Sequence, residues 1–160
     1  MTRCIDPMKQ LLLFLILFSM GSISATAQSS PQARYHGLWW NEDRTGIVEL
    51  VAAEGGIEGI TRWGDKPDTD RHNPDPALKD RSLKDIKFLW DFTYEPKKNR
   101  WSGGKVYDPK NGKTYDAKLS LAKGGKILKM RGFIGISLFG RTAEFERVSP
   151  EELPASFGAQ

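Results

Sequence analysis

The clearest alternation of side chains in the chain lies in Ile86-Lys87-Phe88-Leu89-Trp90-Asp91-Phe92-Thr93-Tyr94. Successive side chains of a β-strand point to opposite faces, so the even-numbered positions of this stretch share one face. The side chains predicted for that face are Ile86, Phe88, Trp90, Phe92 and Tyr94. A face with five large apolar side chains is typical of a strand that packs on a hydrophobic core. We therefore expect one continuous strand here, with Trp90 mostly buried.

Segments of similar character lie on both sides of this strand and are separated by turn signals at roughly 8–12 residue intervals. Glycine pairs or Asn-Gly mark three of the turns, at Gly55-Gly56, Asn111-Gly112 and Gly124-Gly125. The pattern predicts an all-β domain of about eight strands, mostly antiparallel meanders. Closure into a barrel would remove the two unpaired sheet edges, so we expect an antiparallel meander barrel.

Short helical turns are predicted at two places outside the strands. In the polar segment 65–85, Asp75 directly precedes Pro76. Asp75 fits the N-cap position of a short helix, and Pro76 fits its first helical position. Ser149-Pro150-Glu151-Glu152 has the spacing of a capping box.

The N-terminus carries the signature of export. Arg3 and Lys9 precede an apolar run over residues 11–20, and Ala25-Thr26-Ala27 fits a signal-peptidase site. The apolar run is shorter than the ~20 residues of a membrane span, so no transmembrane segment is expected after cleavage. The expected divisions are a signal peptide at 1–27, an N-terminal extension at 28–36, the barrel at 37–148 and a C-terminal tail at 149–160. A mature chain beginning near Gln28 would be periplasmic or secreted.

Composition argues against several classes of function. The single cysteine, Cys4, would be lost with the signal peptide, which excludes thiol chemistry and cysteine metal sites in the mature chain. Charges of both signs are interspersed without a basic stripe, so nucleic-acid binding is not expected. His36 and His72 lack the spacing of a zinc site or a catalytic motif, and lysines and arginines interleave with the acids of segment 65–85. We expect neither an enzyme nor a cofactor or metal.

Several segments resemble a family of exported bacterial proteins known as domain-of-unknown-function family 2147. The segments are Gly37-Leu38-Trp39, Asn73-Pro74-Asp75-Pro76, Trp101-Ser102-Gly103-Gly104, Gly112-Lys113-Thr114-Tyr115 and Gly140-Arg141-Thr142. The resemblance spans nearly all of the predicted mature chain. It implies a secreted or periplasmic protein with a lipocalin-like, calycin-type β-barrel, and it implies no activity.

Two functions are consistent with such a barrel. It could bind or carry a small apolar or amphipathic molecule in the cell envelope, or its interior could be filled by side chains and serve as a non-enzymatic scaffold or interaction protein. In the first case we expect the ligand to contact side chains that line the interior. The candidate lining residues are Trp63, Phe88, Trp90, Phe92, Tyr94, Trp101, Tyr107, Tyr115, Arg131 and Arg141.

Arg131 and Arg141 are the candidate polar groups of that lining. Each stands beside a glycine, and their strands are expected to be neighbours joined near Ser137. Counting alternation through Ser137 puts both arginines on one face. If that face is the interior, they could bind a carboxylate or phosphate; otherwise they are structural.

Overall fold

The computed structural model describes residues 30–158, so the predicted signal peptide, Cys4 and the cleavage point at Gln28 lie outside the described residues. The described part is mostly strand, with short 3-10 turns between strands. The strands are β1 (Gly37–Trp40), β2 (Gly46–Ala53), β3 (Gly56–Gly64), β4 (Lys87–Trp90), β5 (Thr93–Glu95), β6 (Arg100–Asp108), β7 (Lys113–Ala122), β8 (Ile127–Phe133) and β9 (Arg141–Arg147).

The sheet closes on itself as an antiparallel barrel. Neighbouring strands follow the order β4-β3-β2-β1-β9-β8-β7-β6, and β4 also pairs with β6. The short β5 continues the path of β4 along the same neighbour, β6. Eight strands therefore form the ring, which confirms the predicted barrel and its strand count.

The loops gather at two ends of the barrel. Residues 41–45, 65–86, 109–112 and 134–140 connect strands at one end, which we call the open end. The turns at 54–55, 96–99 and 123–126 lie at the other, the closed end. The 3-10 turn Ala33–Tyr35 packs there, and Tyr35 is fully buried in the core.

Both predicted helical turns are present. A 3-10 turn runs over Pro76–Leu78, and the Asp75 carboxylate accepts a hydrogen bond from the backbone of Ala77. A second runs over Pro150–Glu152 with the capping box between Ser149 and Glu152. Within residues 30–158, no helix is long and apolar enough to cross a bilayer.

The stretch from Ile86 to Tyr94 is not the uninterrupted strand that the alternation predicts. Asp91 has a φ of 62°, in the left-handed region, and separates β4 from β5. Trp90 lies opposite Lys105 while Leu89 lies opposite Val106, so Trp90 is on the outer face and Leu89 is fully buried inside. The expectation of a buried Trp90 beside Phe88 and Phe92 is wrong, because Phe88 and Leu89 both enter the interior and the alternation is therefore shifted before it reaches Trp90.

Two local irregularities bring Phe88 and Phe92 into the core in spite of this break. The ladder between β3 and β4 shifts register after Gly59, so that Phe88 and its neighbour Leu89 both enter the interior. The ring of Phe92 lies against Gly104, where an added Cβ would overlap the ring. Core packing thus overrides strict period-two alternation at both positions.

Paired substitutions in β4 test this assignment of faces. Leu89→Ala should lower the free energy of unfolding by about 2–5 kcal/mol, as expected when a fully buried leucine is truncated. Trp90→Ala should cost about 1 kcal/mol, because the indole lies on the outer face and is partly exposed. Urea denaturation of both variants measures the difference, and a larger loss for Trp90→Ala than for Leu89→Ala would contradict the assignment.

Candidate functional site

An arginine and a tryptophan seal the closed end of the barrel. The guanidinium carbon of Arg147 lies 4.0 Å from the ring centroid of Trp39, in cation–π geometry. Its nitrogens donate hydrogen bonds to the carbonyls of Arg34, His36 and Gly125. Trp39 Nε1 donates to the carbonyl of Tyr35 at 3.0 Å. These bonds join the first and last strands to the N-terminal turn at this end of the barrel.

The centre of the barrel is filled by side chains. The buried core is Tyr35, Trp39, Leu50, Ile57, Phe88, Leu89, Phe92, Trp101, Ala117, Leu119, Leu128 and Met130. Trp101 packs edge-on against Tyr35 and lies 5.1 Å from the ring of Tyr94, centroid to centroid. Phe88, Phe92, Tyr94 and Trp101 thus face inward as expected, and there they are packing partners of one another.

Two other candidate lining residues, Trp63 and Tyr107, lie on the outer face, and the expectation that they line the interior is wrong. The Trp63 ring packs edge-on against Trp40, and its Nε1 donates to Ser156 Oγ at 2.9 Å. The C-terminal residues therefore cover a small apolar cluster outside the barrel. Tyr107 is covered in the same way by segment 65–85, because its hydroxyl bonds to Asp70.

Segment 65–85 is anchored by a buried carboxylate rather than being uniformly solvated. Asp70 is fully buried and accepts hydrogen bonds from Tyr107, Asn73 and two nitrogens of Arg81. Burial alone would raise the pKa of Asp70, but these hydrogen bonds outweigh it and lower the pKa below its ordinary value. Burial and the contact with Asp70 raise the pKa of Tyr107 to about 12. The carboxylate is thus saturated by side chains of the protein itself.

Arg131 and Arg141 lie on opposite faces of the β8–β9 hairpin. Arg131 pairs with Thr142 in the ladder, and Arg141 pairs with Gly132. A Cβ built on Gly132 would lie 3.7 Å from Tyr115 and from Val106, so Gly132 and Arg141 face the interior and Arg131 faces outward. The parity expectation is wrong because the 3-10 turn Ser137–Phe139 does not continue the alternation of the strands.

The outward Arg131 has a structural role. Its Nε donates to the carbonyl of Ser137 at 2.7 Å, and its Nη2 donates to the carbonyl of Leu138 at 3.1 Å. Arg141, by contrast, is exposed at the rim of the open end, and its guanidinium has no hydrogen bond or ion pair with any residue that the structure describes.

Above the packed centre, the interior opens toward solvent. Val48, Val106 and Phe145 are partly buried and pack against the core. Ala143 and Arg141 face the interior from β9 yet are exposed. β1 ends at Trp40 and pairs with β9 only at residues 146 and 147. Within the described chain, the upper half of β9 therefore has no strand on that side, and the open end is also open laterally.

Two surface depressions lie away from this interior. One of about 210 Å³ is lined by Arg34, Arg147 and their neighbours, and one of about 290 Å³ lies between the 53–58 turn and Asp91–Thr93. Both belong to the closed end. At the open end, by contrast, the inward-facing Arg141 and Ala143 are exposed above the packed core.

Comparison with known proteins places the chain among bacterial relatives. A family model matches residues 37–147, and its description is an uncharacterized protein conserved in bacteria, DUF2147. The chain belongs to this family. The match covers β1 to β9, from Gly37 through Arg147, so the DUF2147 match includes both residues of the closing contact at Trp39.

One solved structure is similar to this DUF2147 chain. Protein HP1028 from the human pathogen Helicobacter pylori, described as belonging to the lipocalin family, is 27% identical, with a TM-score of 0.65. The similarity covers 74% of this chain and 85% of HP1028. The DUF2147 barrel is therefore lipocalin-like, in agreement with the resemblance seen in the sequence. No curated protein matches the sequence significantly.

Arg147, Tyr35 and Asp70 matter to this architecture but are absent from the candidate residues drawn from the sequence. The contact of Arg147 could have been predicted from the sequence. The first and last strands of a closed barrel are neighbours, so the tryptophan of β1 and an arginine at the end of β9 are expected to lie close together. Asp70 carried no comparable signal, since nothing distinguishes it in sequence from the other acids of segment 65–85.

The structural role of Arg131 can be tested by Arg131→Met. Loss of its hydrogen bonds to the loop should lower the free energy of unfolding by about 1–2 kcal/mol. Hydrogen exchange should accelerate at the amides of Phe139 and Gly140, which bond within this loop. Lys129→Met, on the same outer face and paired with Glu144, serves as the control and should leave those amides unchanged. Equal exchange in both variants would contradict the role.

Proposed function

We propose that the open end of the barrel binds a small amphipathic molecule with an acidic head, in the cell envelope. The observation that carries this proposal is Arg141, an interior-facing cation without a protein partner among the described residues, at the rim of a partly apolar mouth. An arginine fork is well suited to a carboxylate or phosphate, and an apolar tail would extend below it.

The apolar part of the proposed site lies on three strands around Arg141. Val106 on β6 and Tyr115 on β7 are direct neighbours across the ladder, and Ala143 and Phe145 follow Arg141 at the inward positions of β9. The amide nitrogen of Asn111 donates a hydrogen bond to the Tyr115 hydroxyl at 3.0 Å, which holds this side chain at the open end. The packed core limits how deep a ligand can reach, so the ligand is short or protrudes through the lateral opening.

The similarity to HP1028 supports a ligand-binding role, because that protein is described as a lipocalin-family member and eight-stranded barrels can hold one small ligand. The filled centre favours the second candidate, a scaffold barrel without a ligand. The exported location remains part of the proposal and depends on the signal peptide predicted at residues 1–27. The two candidates differ in whether the mouth has affinity for a small molecule.

Calorimetric titration with decanoate and with decanol tests the proposal. Decanoate should bind, and Arg141→Met should weaken it at least about tenfold, since a charge-assisted hydrogen bond is lost. Decanol, which has no charge, should respond little to Arg141→Met. Lys129→Met removes a charge from the outer face of the same hairpin and should leave decanoate binding intact.

A second pair of variants tests the position of the tail. Ala143→Phe fills the mouth from the inner face of β9, whereas Thr142→Phe adds the same ring to the outer face. Only Ala143→Phe should weaken binding of both probes. Failure of decanoate to bind the wild-type protein, or equal effects of Ala143→Phe and Thr142→Phe, would favour the scaffold.

A further inference from the structure

The loop between β8 and β9 presents a cluster of apolar side chains to solvent. Ile134 is 75% exposed, Ile136 61%, Leu138 76% and Phe139 80%. The other exposed large hydrophobic residue of the described chain, Leu78, is only 36% exposed. Single exposed apolar residues are ordinary on a soluble protein, but four within six positions form a patch that indicates an interaction surface.

The loop is held in this arrangement by the barrel. Arg131 binds the carbonyls of Ser137 and Leu138, and Lys118 Nζ lies 3.1 Å from Ser137 Oγ. The backbone therefore directs its polar groups to the barrel, while the apolar side chains point away from it. We call the four side chains at residues 134, 136, 138 and 139 the apolar tip.

The surroundings of the apolar tip are basic. Lys118, Arg131 and Arg141 lie beside the loop on β7, β8 and β9, and the acidic Asp116, which lies opposite Phe133, is in an ion pair with Lys105. Lys118 lies 5.2 Å from the ring centroid of Phe133 at the base of the loop. The neighbouring open-end turn adds Lys110 and Lys113, both exposed.

We propose that the apolar tip inserts into the interface of a bilayer that contains anionic lipids. Apolar side chains at a protein tip enter the boundary between headgroups and acyl chains, and cations at their base meet the lipid phosphates. A protein partner for an apolar patch would not require this excess of positive charge. The side chains that insert are not those assigned to the ligand site, and docking would turn the open end toward the membrane.

Vesicle co-sedimentation tests the docking, with protein purified in high salt from the cells that express it. Wild-type protein should bind phosphatidylcholine vesicles that contain phosphatidylglycerol at least about tenfold more tightly than pure phosphatidylcholine vesicles, and added salt should weaken the binding. The double variant Leu138→Ser with Phe139→Ser should bind at least about tenfold more weakly. The conservative pair Leu138→Ile with Phe139→Leu should bind like wild type.

Charge variants complete the experiment. Lys110→Gln with Lys113→Gln removes two cations from the open end and should weaken binding at least about fivefold. Lys97→Gln with Lys123→Gln removes the same charge from exposed positions at the closed end and should have a much smaller effect. Equal effects of the two pairs, or full binding by the serine variant, would overturn the proposal.

Two further readouts distinguish membrane docking from self-association and from ligand binding. Sedimentation velocity could show that wild-type protein self-associates and the serine variant does not. If wild-type protein also fails to bind vesicles, the apolar tip is an interface between copies and the proposal fails. Decanoate affinity in the serine variant should equal that of wild type. Docking and ligand binding can therefore fail independently.

Discussion

The packing of Arg147 across Trp39 is the contact on which the rest of the architecture depends. It joins β9 to β1, and through the carbonyls of Arg34, His36 and Gly125 it holds the N-terminal turn over the closed end. A guanidinium is costly to bury alone, but here it lies on an aromatic face and donates to several carbonyls at once. By sealing one end, it leaves the opposite end as the route into the interior.

The two ends of the barrel consequently have different chemistry. Large aromatic side chains and Tyr35 fill the interior from the closed end to the centre. Toward the open end the inward positions become small or partly exposed, as at Gly132 and Ala143, and β1 is too short to cover the upper half of β9. An unpaired cation and an apolar loop lie at that end, so the packing that stabilises the molecule and the surfaces proposed for recognition occupy opposite halves.

The sequence predicts the barrel but not the direction of every side chain. Strand number, turn positions and both capped turns follow from local chemistry, which acts over a few residues. Strict alternation assigns Trp90, Tyr107 and Arg131 to the wrong face. It is interrupted by the register shift at Phe88–Leu89, by the β6 irregularity near Gly103 and by the 137–139 turn. A single residue in the left-handed region or an extra residue in a ladder reverses every later assignment, and tertiary packing decides where this happens.

Recognition at the open end, above a packed core, is tested most directly by methyl-resolved NMR during titration with decanoate. We expect the largest shift changes at the methyl groups of Val106 and Ala143, with Leu119 and Leu128 in the packed centre nearly unchanged. Changes concentrated at Ala33 or Ala53, beside the depressions of the closed end, would contradict recognition at the open end, as would a spectrum that decanoate leaves unaltered.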